Sequence, residues 1–272
     1  MKFEFRKYKH QELIDEYSKL RKRIKNDELI EPIKPFKVGY LCSNYFFQYE
    51  RFNTSCKDNK YTPLEYWNKS HERILAFAKK HNNTLYSTLN YFSHTPSQFP
   101  PMSACLVYKE FKCKNIFDPY AGWGDRCLAA MSMNLNYTGV DCNPNLIKPY
   151  KKMISTYPTT GQIKIIHDKC ETINLKRIKF DFVFTSPPFW KDKKILERYN
   201  GTEMNYDIFM NTSLIPILKK CISISKEKIW ICLYINEYMY NDLKNVLGVC
   251  KREIKFKTGG TSKIYTIYCW YK

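Results

Sequence analysis

Directly after the run Asp181, Phe182, Val183, Phe184 and Thr185 come Ser186, Pro187, Pro188 and Phe189. A proline has no N–H to give a sheet and holds the residue before it extended, so a strand here stops at Thr185 or Ser186. Beyond it lies a stiff loop that displays a hydroxyl, the carbonyl of Pro187 and an aromatic face. These are two hydrogen-bond acceptors and a stacking surface, fixed in place before any ligand arrives.

A second group lies upstream. Asp118 and Pro119 lead into Gly122 and Gly124, where missing side chains let the backbone turn and a ligand approach closely. Asp141 follows Asp118 by 23 positions, near the spacing at which an acid meets a ribose hydroxyl in nucleoside-binding βαβ units. The full dinucleotide pattern wants a third glycine two residues later, but Gly124 is followed by Asp125, Arg126 and Cys127. An acid at the end of the first strand also repels a pyrophosphate. It suits instead a cationic or amino-bearing ligand, such as the methionine portion of S-adenosylmethionine.

The elements that must carry these residues can be read from pattern. From about residue 86 strands alternate with helix-length segments: Asn115–Asp118, a glycine loop, a helix from about Asp125, then strands ending at Asp141, at Asp168 and before Ser186. "KIWICLYI" is a fifth strand, and "CKREIKFKT" with "KIYTIYCWY" makes a terminal hairpin across Gly259 and Gly260. The pattern predicts an α/β fold with a doubly wound, mostly parallel sheet and an antiparallel end. In such sheets ligands sit beyond the carboxyl ends of the strands, which places Asp118, Asp141, Asp168 and Ser186 along one edge. Before residue 86 the chain reads as a mostly helical extension. Leu13, Tyr17, Leu20 and Ile24 mark one helix. Thr62, Pro63 and Glu65 mark the capped start of another, with a Cys/Asn/Tyr/Phe-rich connection between the two. The division expected is 1–85, a possible substrate-binding element, and 86–272.

Composition limits the function. The 272 residues, 44% hydrophobic and 16% aromatic, make a globular protein. No charged-then-apolar leader opens the sequence and no apolar run is long enough to span a bilayer, so an intracellular protein, not secreted, is expected in the cytoplasm, nucleoid or nucleus. The 11 cysteines lack CxxC pairs and zinc spacing, which predicts reduced thiols and no metal. A formal net charge of +19 suits a polyanion, with clusters at Arg21–Arg23 and Lys25, at Lys148, Lys151 and Lys152, and at Lys191, Lys193 and Lys194. The last cluster, with Arg198, lies in a segment that would act as a lid over the active face or as a charged loop.

The ordered motifs "DPYAGWG", "GVD", "HDKCE" and "TSPPF" resemble those of S-adenosylmethionine-dependent amino-methyltransferases of nucleic acid, whose cofactor motifs precede the catalytic one. The resemblance covers about residues 95 to 272 and implies a Rossmann-like methyltransferase domain. It implies that Asp118, Pro119, Gly122 and Gly124 hold the methionine part of the cofactor, that Asp141 accepts the ribose hydroxyls and that Asp168 faces the adenine amino group. "SQFPP" resembles the segment before the glycine loop, with Phe99 packing on adenine, closing the pocket or filling the core beside a helix start. It further implies that Ser186 Oγ and the Pro187 carbonyl accept from an exocyclic amino group, held by Pro187 and Pro188. Phe189 would stack the base, with Trp190 widening the platform. Many relatives carry Asp or Asn in place of Ser186 and Tyr in place of Phe189, so cytosine N4 and adenine N6 both stay open. DNA is expected ahead of RNA as the polymer. A non-catalytic nucleic-acid-binding module and a protein-amide methylase remain the alternatives, and oligomeric state is not set by the sequence.

Overall fold

The computed structural model describes residues 1–34, 36–56, 59–191, 194, 195, 197, 198, 205–257 and 264–272. Seven strands form one sheet: β1 (Asn115–Asp118), β2 (Asn136–Asp141), β3 (Ile163–His167), β4 (Phe182–Thr185), β5 (Trp230–Tyr234), β6 (Arg252–Lys257) and β7 (Ile264–Tyr271). Their order is β6-β7-β5-β4-β1-β2-β3. The pairs from β5 through β3 are parallel, while β7 runs antiparallel to both β5 and β6. The doubly wound, mostly parallel sheet with an antiparallel terminal hairpin is therefore present. The tip of that hairpin, with Gly259 and Gly260, lies outside the described residues.

The chain leaves β1 towards β2 on one side and returns through β4 on the other, so a crevice opens beyond the carboxyl ends of β1 and β4. Strand periodicity explains what covers the sheet. Ile116, Phe182, Phe184 and Cys232 face one hydrophobic core, whereas Phe117, Val183, Ile231 and Leu233, one residue along, face the other. β4 is buried on both sides, which is why it reads as a continuous apolar run.

The first core is closed by α1 (His10–Asn26), α2 (Tyr40–Phe52), α5 (Pro101–Glu110), α6 (Asp125–Ser132) and α7 (Ile147–Thr156). α8 (Tyr206–Phe209) runs through a π turn at Met210–Leu214 into α9 (Ile215–Ile224), and these cover the other core with α10 (Glu237–Leu247). A smaller aromatic cluster of Phe3, Phe52, Trp67 and Leu89 joins the N-terminal residues to α2, α3 (Pro63–Lys80) and α4 (Leu85–Phe92). Both expected helices are present. α1 buries Leu13, Tyr17, Leu20 and Ile24. α3 opens on a reciprocal cap in which the Glu65 N–H donates to Thr62 Oγ1 at 3.2 Å and the Thr62 N–H to Glu65 Oε2 at 2.8 Å.

The stretch expected to be a connection is α2. Its helical period is hidden because it buries polar residues, Ser43, Asn44, Gln48 and Arg51, along with Cys42, Phe47 and Phe52. Each of these polar side chains makes at least one internal hydrogen bond, although Gln48 Oε1 is left without one among the described residues, so burial carries no apolar stripe to read. The line drawn after residue 85 falls at the start of α4, and the first strand begins only at Asn115. α1 and α2 share the core that the sheet lies on.

Candidate active site

The carboxyl end of β1 sets the geometry. Asp118 is fully buried. Its Oδ2 accepts from Arg126 Nε at 2.7 Å and from the Tyr137 hydroxyl at 2.6 Å. Its Oδ1 accepts from Thr185 Oγ1 at 2.6 Å and from the Tyr120 N–H at 3.3 Å. A paired buried charge of this kind ties β1, β2, β4 and α6 together, and breaking it from one side costs about 3–5 kcal/mol. The carboxylate expected to face the methionine portion is instead turned inward with both oxygens engaged. Pro119 follows it into the turn.

The loop from Tyr120 to Gly124 then wraps the strand end. Gly122 and Gly124 have φ of +62° and +80°, the left-handed region that favours glycine. A Cβ on Gly122 would meet only Tyr120 O, at 3.9 Å, so conformation alone asks for glycine there. At Gly124 a Cβ would also stand 2.6 Å from the Phe47 ring of α2. Asp141, at the end of β2, braces this loop. Its Oδ2 accepts the Gly122 N–H at 2.8 Å and its Oδ1 the Asn143 N–H at 2.9 Å, and burial pushes the carboxyl up to about 6.

Asp168 lies one residue beyond β3 and is exposed. Its Oδ1 accepts from the Lys169 N–H at 2.7 Å and from Thr172 Oγ1 at 2.9 Å. Near it is a polar chain that pattern alone did not reveal: Tyr120 Oη lies 2.9 Å from Ser213 Oγ, which donates to Glu171 Oε2 at 3.0 Å. It fastens the glycine loop to the π turn before α9.

Ser186, Pro187, Pro188 and Phe189 form the opposite wall. One cleft is lined by Ala121–Trp123, Asp125 and Arg126 on one side, Ser186–Phe189 and Tyr234 on the other, and Ser97–Phe99 between. Among the described residues Ser186 Oγ has no hydrogen-bond partner, and the residue is half-buried. Phe189 meets Tyr234 edge-on, ring centroids 4.9 Å apart and planes at 73°. Tyr234, at the end of β5, was not singled out from sequence, although the register that pairs Thr185 with Leu233 puts it beside the loop. Trp190 does not extend the platform. It is fully buried, stacks on Phe209 at 5.7 Å and meets Tyr206 edge-on at 5.4 Å. Phe99 is a core residue that also lines the cleft, edge-on to Phe184 at 5.5 Å and Tyr234 at 5.3 Å.

Asp125 is the residue that sequence reasoning passed over. It is buried in the cleft wall, and its Oδ1 accepts from Ser43 Oγ at 2.5 Å and Gln98 Nε2 at 3.0 Å. Gln98 is oriented by Arg51, whose Nη1 donates to Gln98 Oε1 at 2.8 Å and to Asn44 Oδ1 at 2.6 Å. Burial pushes the Asp125 carboxyl up to about 7, against the pull of Ser43, Arg51, Arg126 and Gln98.

The charged segment after Trp190 is only partly described. The Lys191, Lys193 and Arg198 side chains lie outside the described residues, while Lys194 is exposed. Backbone at 197 and 198 pairs antiparallel with Cys56 and Ser55. The α7 cations Lys148, Lys151 and Lys152 are all exposed. Among the described residues no group of three His, Cys, Asp or Glu could hold a metal ion, and no helix is long and apolar enough to cross a membrane.

The sheet order and the crevice at β1 and β4 define a Rossmann-like, doubly wound fold. No protein-family model and no curated protein matches the chain. Solved structures align with part of the chain at low identity. TrmN from Thermus thermophilus is 12% identical with a TM-score of 0.46, over 63% of this chain and 48% of that one. The Pyrococcus abyssi tRNA (uracil-54, C5)-methyltransferase in complex with S-adenosyl-L-homocysteine is 13% identical with a TM-score of 0.44, over 62% and 37%. The hMettl16 catalytic domain in complex with a MAT2A 3'UTR hairpin is 12% identical with a TM-score of 0.45, over 64% and 71%. This chain spans less than half the length of the first two.

Proposed function

We propose that the chain is an S-adenosylmethionine-dependent methyltransferase acting on an exocyclic amino nitrogen of a base in nucleic acid, at cytosine N4 or adenine N6. The observation that carries the reading is the cleft at the sheet's switch point, where the glycine loop faces the rigid Ser186–Phe189 wall. The groups around the glycine loop suit the cofactor's chemistry. The Gly122 side of the loop is open to a close neighbour, Asp141 stands beside it at the end of β2, and Asp168 lies exposed beyond β3.

Bound there, the cofactor supplies an electrophilic methyl group. The protein's part is to present the nitrogen. An exocyclic amino group is a poor nucleophile because its lone pair is spread into the ring. Ser186 Oγ and the Pro187 carbonyl accept from its two N–H bonds and draw the nitrogen towards a pyramidal shape, and the proline pair keeps those acceptors from relaxing. Phe189, buttressed by Tyr234, gives the base a face worth about 1–3 kcal/mol of stacking.

The net charge of +19 and the exposed lysines of α7 support a nucleic-acid substrate. Nothing in the described residues favours duplex DNA, so RNA stands at least level with DNA. The test is transfer of isotopically labelled methyl to RNA, single-stranded DNA and duplex DNA, followed by nucleoside digestion and mass spectrometry. Label in N4-methylcytosine or N6-methyladenine is the expected result and identifies the polymer. Label on a ring carbon or on protein would refute the amino-group chemistry.

A further inference from the structure

We propose that Asp125, not Asp118, is the carboxylate that receives the ammonium group of the cofactor's methionine portion. The inference rests on the cofactor reading above and assigns one part of that ligand to one residue. Asp118 is excluded by saturation: Arg126, Tyr137, Thr185 and the Tyr120 N–H occupy both of its oxygens in a site closed to solvent.

Asp125 is half-satisfied. Ser43 and Gln98 both donate to Oδ1, and among the described residues nothing donates to Oδ2. The residue is 3% exposed and lines the cleft, so a carboxylate oxygen without a protein partner borders the cavity beside the glycine loop. Leaving a buried anion in that state is costly, and a cationic ligand removes the cost. Neighbouring cations offset it only in part, and neither donates to Asp125. Arg51 is spent on Asn44, Gln98 and the Pro96 carbonyl, and Arg126 on Asp118 and the Tyr120 carbonyl.

The surroundings also fix the orientation of the acceptor. Arg51 holds the oxygen of Gln98, which obliges its amide nitrogen to face Asp125, and the Ser43 hydroxyl accepts from that same nitrogen at 3.1 Å. Such an array aims both donors at Oδ1 and leaves Oδ2 without one among the described residues. The titratable and charged groups around it are Arg51 and Tyr40 from α2 and Arg126 from its own helix.

The test is calorimetric binding of S-adenosylhomocysteine and of its deaminated analogue, in which hydrogen replaces the amino group. We expect wild type to bind the amino compound at least tenfold more tightly. Asp125→Asn should lose that preference and leave the analogue's affinity unchanged. In wild type, affinity for the amino compound should fall below pH 7, by about tenfold per unit once the carboxyl is protonated, while the analogue's affinity stays flat. The pH series needs no variant and so stands even if Asp125→Asn fails to fold. Equal loss of both ligands in the variant, an unchanged preference, or a flat pH profile would overturn the assignment. If wild type binds neither compound, the cofactor reading itself falls, and this proposal with it.

Discussion

Ser186 and Asp125 sit on two walls of one cleft, and single substitutions there should separate presentation of the nucleophile from capture of the cofactor. Ser186→Ala removes one acceptor from the amino group, so turnover should fall by about a hundredfold or more while S-adenosylhomocysteine affinity stays constant. Steady-state kinetics with calorimetry checks both halves. Asp125 carries a different signature. Its carboxyl titrates near 7 in the fold against about 4 in the unfolded chain, so the native state binds the extra proton. The sign follows: the anion's burial costs little below pH 4, and its cost grows as pH rises towards 7. Asp125→Asn should raise stability at pH 8 by on the order of 2–4 kcal/mol and lose that advantage near pH 4. Thermal unfolding across that range would show it. Both residues were within reach of the sequence, yet only strand ends and prolines leave local marks. Ser186 was found because Pro187 and Pro188 stop a strand. Asp125 went unnoticed because its partner Ser43 is 82 residues away.

α2 is the element whose importance was least legible. Asn44, Gln48 and Arg51 look like surface residues, and their burial depends on partners in the 96–98 segment and near residue 6 that no local period announces. The strands were legible for the opposite reason, since buried parallel strands are short apolar runs bounded by turn residues. α2 also presses Phe47 against Gly124. Gly124→Ala should therefore cost more than the usual 1–3 kcal/mol of a strained backbone and weaken cofactor binding along with stability. Pairing it with Phe47→Ala should recover part of the loss, because the small residue at 47 gives the new methyl room. A double-mutant cycle by denaturant unfolding measures the coupling, and strict additivity would show that the ring contact is not what demands glycine.

For the whole molecule, charge is the feature that reaches beyond the cleft. With a net charge of +19, association with RNA or DNA should weaken steeply with salt. Replacing Lys148, Lys151 and Lys152 together with Gln should flatten the slope of log affinity against log salt by about 2–3 units if α7 contacts phosphates. An unchanged slope would place the contacts elsewhere. Composition made the charge legible but not its location, because lysines on helices look alike whether or not they face a polymer.

The far border of the sheet carries one more consequence. β6 is an outermost strand, and its backbone beside Phe256 is met by Ile33: the Ile33 N–H donates to Lys255 O at 2.8 Å, and the Ile33 carbonyl accepts from the Lys257 N–H at 2.9 Å. A bare outer strand is a template on which other copies of a chain can assemble into fibrils. Ile33 occupies part of that template from within, so the residues leading into α2 leave less of the edge open to another copy of the chain.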